Sequence, residues 1–394
     1  MRRVTAREHR LQTLRSRPGR LPGLDDLKTL VVAWIIVGHA LLGYVAYGGW
    51  EYAEVREVTY GPTLELVLSA VFAPSALVVI GTLFLVAGLF LPGSLAHRGY
   101  RAFVTDRLLR LGAPYVAYAL LLWPLLLWLT YRAAGRPVTY RWIVLERPPF
   151  LDAGALWFAG VLLLFSLGYA GLVRVGMLRA TGSAEPGNGE VRARHVLWVT
   201  AAVAVGTFAV RLWLPARGSL PGDLHLWEWP QCLGLLALGV LGARRGLLVQ
   251  VPEALWRGVG RAVVAALLTL PVVAAATGAH DVASGLAPYL GGWTWQAIYA
   301  AAVESVLVVN GSLWLLGTAQ RRLGTRRPVA ASAERAAFAA YIVQGPVLLG
   351  LAVALRAMPV PALVKAVTVG GVGVVASFSL GWLLVSRTWL GRIL

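Results

Sequence analysis

The chain has 394 residues, of which 58% are hydrophobic and only 14% charged, and its formal net charge is +18. Charge this sparse cannot cover the surface of a soluble protein of this length. Long apolar stretches recur from Leu27 to Leu384, and the basic residues lie scattered in short connections between them rather than on one soluble domain, which argues against a nucleic-acid partner. The composition therefore predicts an all-α, polytopic integral membrane protein.

The first 26 residues are polar and rich in arginine, and the apolar stretch that follows is too long for the core of a signal peptide. We therefore predict a basic N-terminal tail over residues 1–26 and a single transmembrane domain over residues 27–394. Windows of about 20 apolar residues predict about ten spans in that domain. The spans are expected near residues 27–46, 64–91, 111–131, 153–173, 196–214, 229–243, 260–277, 293–317, 336–355 and 364–385.

The distribution of basic residues predicts the topology. With the N-terminus inside, 27 of the 36 Lys and Arg residues fall on the cytoplasmic side, a threefold excess that matches the positive-inside rule. Both termini are therefore expected in the cytoplasm, in a multi-pass protein of the cytoplasmic membrane. The outward connection at 132–150 carries four arginines and is the weak point of this assignment. A segment near 180–194, rich in Gly, Ser and Pro, is expected to be a flexible cytoplasmic linker.

The first span combines a cation at its entrance with an imidazole deep inside it. Lys28 and His39 are separated by eleven residues, or three helical turns, so they share one face about 16 Å apart along the axis. Asp25 or Asp26 can cap the helix and complement its dipole. Lys28 could be a simple interfacial anchor or a phosphate ligand. His39 could be a general base or form an interhelical hydrogen bond.

Two arginines stand just before the third span. Arg107 and Arg110 have the spacing of residues that share a helix face, so their guanidinium groups could clamp phosphates. An ordinary cytoplasmic anchor would have the same pattern, and Asp106 could pair with Arg110 four residues on.

Glu304 lies within the eighth apolar run, where an acidic side chain should face a cavity or a partner rather than lipid. It could contact substrate, or it could form a structural pair. No zinc-binding spacing, phosphate loop or nucleophile elbow is present. Five histidines fall in tails or loops and are assigned no role: His9, His97, His195, His225 and His280.

The order and spacing of these residues resemble the membrane-bound acyltransferase 3 family. The opening signature of that family is a basic residue, ten residues and a histidine in the first helix, as in Lys28 and His39. Its second signature is a pair of arginines before the third helix, as in Arg107 and Arg110. Other stretches that look like family elements are Phe84–Gly88, Leu156-Trp157-Phe158, and Trp229-Pro-Gln231 with Gly239 and Arg244-Arg245-Gly246, the last of which resembles the branch of glucan succinyltransferases.

The resemblance implies an integral membrane O-acyltransferase with about ten helices. An acyl-CoA or similar thioester would be the co-substrate, no cofactor would be bound, and the acceptor would be a hydroxyl of a glycan or a lipid-linked molecule. His39 would be the general base, and Asp25 would join the catalytic set by positioning the helix end and Lys28. The remaining substrate-binding residues that we predict are Lys28, Arg107, Arg110, Trp157 and Glu304.

One position departs from the family pattern. Where many relatives have a histidine, this chain has Gln344, which can form hydrogen bonds but cannot titrate. Two other functions fit the same residues. A transporter or flippase for an anionic or lipid-linked solute would also use basic residues with an intramembrane histidine, and an inactive relative could bind acyl donors as a sensor.

Overall fold

A computed structural model of the chain describes residues 22–179, 190–218, 224–277, 285, 287–323 and 331–392. Within these ranges the chain forms ten long helices joined by loops and short helical turns, and no strand. The long helices are α1 (Pro22–Leu42), α2 (Pro62–Arg98), α3 (Tyr100–Ala133), α4 (Trp157–Arg174), α5 (Ala193–Arg211), α6 (Trp229–Arg244), α7 (Glu253–Thr277), α8 (Trp295–Arg322), α9 (Ala331–Ala354) and α10 (Ala362–Arg387).

Eight of these helices are long and apolar enough to cross a membrane, which confirms the prediction of an all-α polytopic membrane protein. The other two are α1, which carries three charged residues near its start, and α6, which has 16 residues. Both pack against the longer helices, α1 against α9 and α10, and α6 against α2. The predicted basic tail and the predicted linker fall mostly on residues outside the described ranges.

Two predicted boundaries are wrong in a way that affects the site. Helix α1 begins at Pro22, so Asp25 lies in its first turn rather than before it. Helix α3 begins at Tyr100, eleven residues before the predicted span, because a charged and amphipathic turn continues the apolar helix into the interface. Arg107 and Arg110 therefore lie within a helix. Two π-helical turns, Leu108–Gly112 and Tyr118–Leu122, interrupt α3.

Small residues allow a close crossing between α2 and α6. A Cβ atom on Gly88 would run into the carbonyl oxygen of Leu236, and one on Gly239 would run into that of Leu85. The two backbones can approach this closely only because neither glycine has a side chain. Phe84, one turn before Gly88, is fully buried in the same helix. Phe84, Gly88 and Gly239 belong to stretches that resemble family elements, and in the structure these three residues serve helix packing.

A buried ionic network holds the connection between α1 and α2. Arg147 forms ion pairs with Glu54 and with Asp152, the second at 2.9 Å, and Tyr131 donates a hydrogen bond to Glu54. Arg147 is 4% exposed, so its charge is balanced by the buried Asp152 and the more exposed Glu54 rather than by solvent. This pairing explains why an arginine occurs in the predicted outward connection at 132–150, against the general charge bias.

A second network ties the same connection to the start of α10. Lys365, which is 2% exposed, donates to Glu57 at 2.5 Å and to the carbonyl oxygen of Arg356 at 3.0 Å. Tyr52 donates to the other carboxylate oxygen of Glu57 at 2.7 Å. Burial acts to raise the pKa of Glu57, but the hydrogen bonds from Lys365 and Tyr52 outweigh it and hold this pKa below its ordinary value.

Candidate active site

His39 lies three residues before the end of α1 and faces the protein interior. Its Nδ1 atom is 3.1 Å from Oε1 of Gln344 on α9. The indole of Trp50, from the connection after α1, lies nearly parallel to the imidazole, with ring centroids 5.8 Å apart and an interplanar angle of 11°. Gln344 is fully buried, whereas His39 keeps part of its surface accessible. The imidazole is therefore held by protein groups and can still be reached.

The hydrogen bonds of Gln344 determine which nitrogen of His39 is free. Gln344 Nε2 donates to the carbonyl oxygen of Tyr341 at 3.0 Å, so its Oε1 atom is the one that faces the imidazole. An oxygen acceptor requires a donor, so His39 carries its proton on Nδ1 and presents the lone pair of Nε2. His39 can therefore form the interhelical hydrogen bond through Nδ1 and still act as a base through Nε2. The residue that departs from the family pattern is the partner of His39.

A stack of aromatic rings lies beside this pair. Trp157, the first residue of α4, stacks on His225 with centroids 4.3 Å apart, and His225 also stacks on Trp227 at 5.5 Å. His225 has a left-handed backbone conformation, with φ of 47°, and it interacts electrostatically with His39. Trp157 therefore contacts a histidine to which the sequence assigned no role, in the neighbourhood of His39.

Lys28 and Asp25 lie at the other end of α1. Lys28 Nζ is 3.2 Å from Asp25 Oδ1 and 5.0 Å from the centre of the Phe90 ring. Fourteen residues separate Asp25 from His39, or about 21 Å of helix rise, so Asp25 cannot contact the imidazole. Its contact is with Lys28, in keeping with a positioning role for this member of the predicted catalytic set.

Arg107 and Arg110 have different environments, although the sequence suggested one clamp. Arg110 pairs with Asp106 at 2.9 Å, and Arg98 pairs with the same oxygen at 2.6 Å. Arg107 instead lies against the ring of Phe103, 5.2 Å from its centre, and its Nε atom has no hydrogen-bond partner among the described residues. A π-helical turn begins at Leu108, between the two arginines. The positive charge of Arg107 is therefore less neutralised than that of Arg110.

Glu304 is part of an interhelical polar cluster. Its Oε2 atom accepts from Arg211 of α5 at 2.6 Å and from Gln231 of α6 at 3.0 Å. Arg211 is 2% exposed and its guanidinium lies 5.4 Å from the centre of the Trp227 ring. The structural pair that the sequence left open therefore exists, and contact of Glu304 with substrate stays a prediction.

The sequence did not point to Trp50, Gln344 or His225 as a group, because they come from three separate connections and helices. The only available signals were that Gln344 departs from the family pattern and that Trp50 follows two glycines. Over the described residues, no three His, Cys, Asp or Glu side chains converge as metal ligands.

Taken together, the fold and site define a multi-pass helical membrane protein with an imidazole inside the helical bundle and a lysine at the opposite end of the same helix. A family model described as an acyltransferase domain matches residues 21–386. The chain therefore belongs to the acyltransferase 3 family, and it is an acyltransferase that acts on groups other than aminoacyl groups. Searches of curated proteins and of solved structures found no match.

Proposed function

We propose that this protein transfers an acyl group from acyl-CoA to a hydroxyl of a glycan or lipid-linked acceptor, with His39 as the general base. The observation that carries the proposal is the hydrogen bond between His39 Nδ1 and Gln344, which leaves Nε2 as an acceptor within the bundle. A base positioned in this way is typically worth about 10²–10⁴-fold in rate. The donor is a co-substrate rather than a bound cofactor.

The chemical step follows from that tautomer. His39 Nε2 takes the proton of the acceptor hydroxyl as its oxygen attacks the thioester carbonyl and a new C–O bond forms. The C–S bond then breaks, and the imidazolium returns the proton to the departing thiolate, so that free CoA and the acylated acceptor are the products. His39 lies in the last turn of α1, where the helix dipole stabilises the positive charge that the imidazole carries between these events.

The position of His39 along α1 supports entry of the two substrates from opposite sides. Lys28 lies near the end predicted to be cytoplasmic, about 16 Å from His39, a distance that the extended pantetheine arm of CoA can cover. Lys28 and Arg107 would hold the phosphates of the donor. Trp50, which stacks on His39, comes from the connection at the opposite end. The acceptor would therefore approach from the outer face of the cytoplasmic membrane.

The aromatic stack suggests where the acceptor binds. Trp157 and Trp227 flank His225 near His39, and flat aromatic faces are well suited to sugar rings and to the apolar parts of lipid headgroups. The proposal that the acceptor is a component of the cell envelope rests on this feature. The proposal that the protein resembles the glucan succinyltransferases in its function rests on the Trp229–Gly246 stretch.

The test uses the purified protein with acetyl-CoA or succinyl-CoA as donor and a lipid and glycan extract of the producing cells as acceptor. We expect release of free CoA thiol, and mass spectrometry should show an added acyl group on one component of the extract. The His39→Ala variant should insert and fold but release no thiol above background. Solute movement without thiol release would indicate a transporter, and donor binding without turnover would indicate an inactive sensor; either result would overturn the proposal.

A further inference from the structure

The proposed transfer requires a hydrogen-bond donor as well as a base. When the acceptor oxygen attacks the thioester, negative charge develops on the carbonyl oxygen, and a fixed donor at that position is commonly the largest single contribution to catalysis. His39 cannot supply it, because Nδ1 is bonded to Gln344 and Nε2 acts as the base. Gln344 turns its acceptor oxygen towards the imidazole and its amide nitrogen towards the carbonyl oxygen of Tyr341, so the edge that faces His39 has no donor. A donor from another residue beside the imidazole would complete the site.

Trp50 has an uncommitted donor at this position. The residue is 8% exposed, and its Nε1 atom is buried without a hydrogen-bond partner among the described residues. A buried N–H left unpaired costs about 1–3 kcal/mol, so folded proteins rarely retain one without a use. The indole of Trp50 lies against the ring of His39 rather than in a separate part of the core.

The rings of Trp50 and His39 lie in nearly parallel planes. An indole N–H and an imidazole lone pair both point outward within their own ring planes, and the planes of Trp50 and His39 differ by only 11°. Groups bound at the two edges therefore occupy adjacent layers, at a spacing no larger than the 5.8 Å between the ring centroids. The role considered for Trp50 requires a thioester whose carbonyl carbon lies beside Nε2 and whose oxygen points towards the layer of the indole N–H, at a hydrogen-bond distance of about 3 Å.

The backbone around Trp50 holds the indole in place. Trp50 is extended, with φ of −154°, and its carbonyl oxygen accepts from Ala53 at 2.9 Å to begin the helical turn Glu51–Glu54. Glu54 at the end of that turn is fixed by the buried Arg147. A donor mounted on such a turn needs no rearrangement as charge develops, which is what makes it effective.

A second unpartnered donor, the hydroxyl of Tyr118, has a different location. Its oxygen is packed against Gly345, and its ring stacks on Trp123 with centroids 5.4 Å apart. The ring of Tyr118 stacks on Trp123, whereas the ring that stacks on His39 is that of Trp50. Trp50 is the unpartnered donor with a ring contact to His39.

We propose that the indole N–H of Trp50 donates a hydrogen bond to the carbonyl oxygen of the thioester and to the oxyanion that replaces it during acyl transfer. This assignment depends on the function proposed above, with His39 as the base. It gives Trp50 a catalytic role that requires its nitrogen, whereas a packing role would require only its ring.

The experiment removes the nitrogen and keeps the ring. Trp50→Phe, and site-specific replacement of Trp50 by β-(3-benzothienyl)alanine, in which sulfur stands in place of the N–H, are compared with the wild type in the thiol-release assay. The matched control is Trp213→Phe, because Trp213 is 90% exposed. Thermal unfolding of each purified variant shows whether it is folded.

We expect both replacements at position 50 to lower kcat by about 10²–10³-fold, with the KM for acetyl-CoA unchanged. The control should match the wild type. A benzothienylalanine variant with the wild-type kcat would overturn the assignment, whether or not Trp50→Phe is active, because the N–H would then be dispensable. If His39→Ala also turned over normally, the proposed function would fail; if His39→Ala were inactive, only the role of Trp50 would fail.

Discussion

Gln344 offers the sharpest test of how the base is prepared. Replacing Gln344 by leucine keeps the approximate volume of the side chain and removes the acceptor for His39 Nδ1, which lies 3.1 Å away. The imidazole then has either an unpaired buried N–H or the other tautomer, in which Nε2 carries the proton and cannot accept one. We therefore expect Gln344→Leu to be slower in the acyl-transfer step without losing affinity for the donor.

The magnitude follows from the cost of leaving the donor unpaired, about 1–3 kcal/mol. At 1.36 kcal/mol for each factor of ten, this corresponds to a decrease in kcat of about 5- to 150-fold. Gln344→His is the matched control, because histidine has one donor and one acceptor nitrogen and can replace the contacts to both Tyr341 and His39. It should retain more activity than the leucine variant.

The assay is release of CoA thiol under saturating acetyl-CoA, with thermal unfolding of each variant as the measure of folding. The reasoning would be refuted if Gln344→Leu were folded and had the wild-type kcat. It would also be refuted if the leucine variant changed only the KM for acetyl-CoA, because Gln344 would then act on the donor rather than on the base.

Three further predictions test the cations, the packing and the outer connection. Arg107→Ala should raise the KM for acetyl-CoA by about 10- to 150-fold with little change in kcat, since it removes a hydrogen bond to a charged group worth about 1.5–3 kcal/mol; steady-state kinetics measure this, and an unchanged KM would contradict it. Gly88→Leu should prevent the monodisperse elution of the purified protein, whereas Gly168→Leu should not, since a Cβ on Gly168 meets no atom within 4 Å. Glu57→Gln leaves the buried Lys365 without its counter-ion and should cost up to about 3 kcal/mol of stability. Since folding lowers the pKa of Glu57, the stability that it contributes is present above the pKa of the unfolded carboxyl and is lost as the pH falls through the lower, folded-state value. Thermal unfolding against pH should show a larger acid-side loss of stability in the wild type than in the variant, which keeps the other paired carboxylates.

Much of the fold could be predicted from the sequence because a membrane imposes a single requirement on every span. A stretch of about 20 apolar residues has to be helical to satisfy its backbone, so apolar length alone locates the helices. The same argument fails at helix ends, where charged residues continue a helix into the interface. That is why α3 begins at Tyr100 and why Arg107 lies within it.

The site could be predicted only where its residues share one helix. Lys28 and His39 lie on one face of α1, so their relation follows from helical geometry. The partners of His39 come from other segments: Gln344 lies 305 residues further along the chain, and Trp50 lies in a loop without periodicity. The environment of Glu304 shows the same limit, because its partners lie on α5 and α6. Contacts between distant segments depend on tertiary packing that no local pattern reports.

The central claim is that His39 takes the proton of the acceptor hydroxyl and that acyl-CoA reaches this histidine from the cytoplasmic side. The most direct measurement is release of CoA thiol from acetyl-CoA added to sealed membrane vesicles that contain either the wild type or His39→Ala. Everted vesicles, which expose the cytoplasmic face, should release thiol with the wild type and not with the variant, and right-side-out vesicles should release none. Equal release by the two proteins in everted vesicles would contradict the role of His39, and release by right-side-out vesicles would contradict the direction of donor entry.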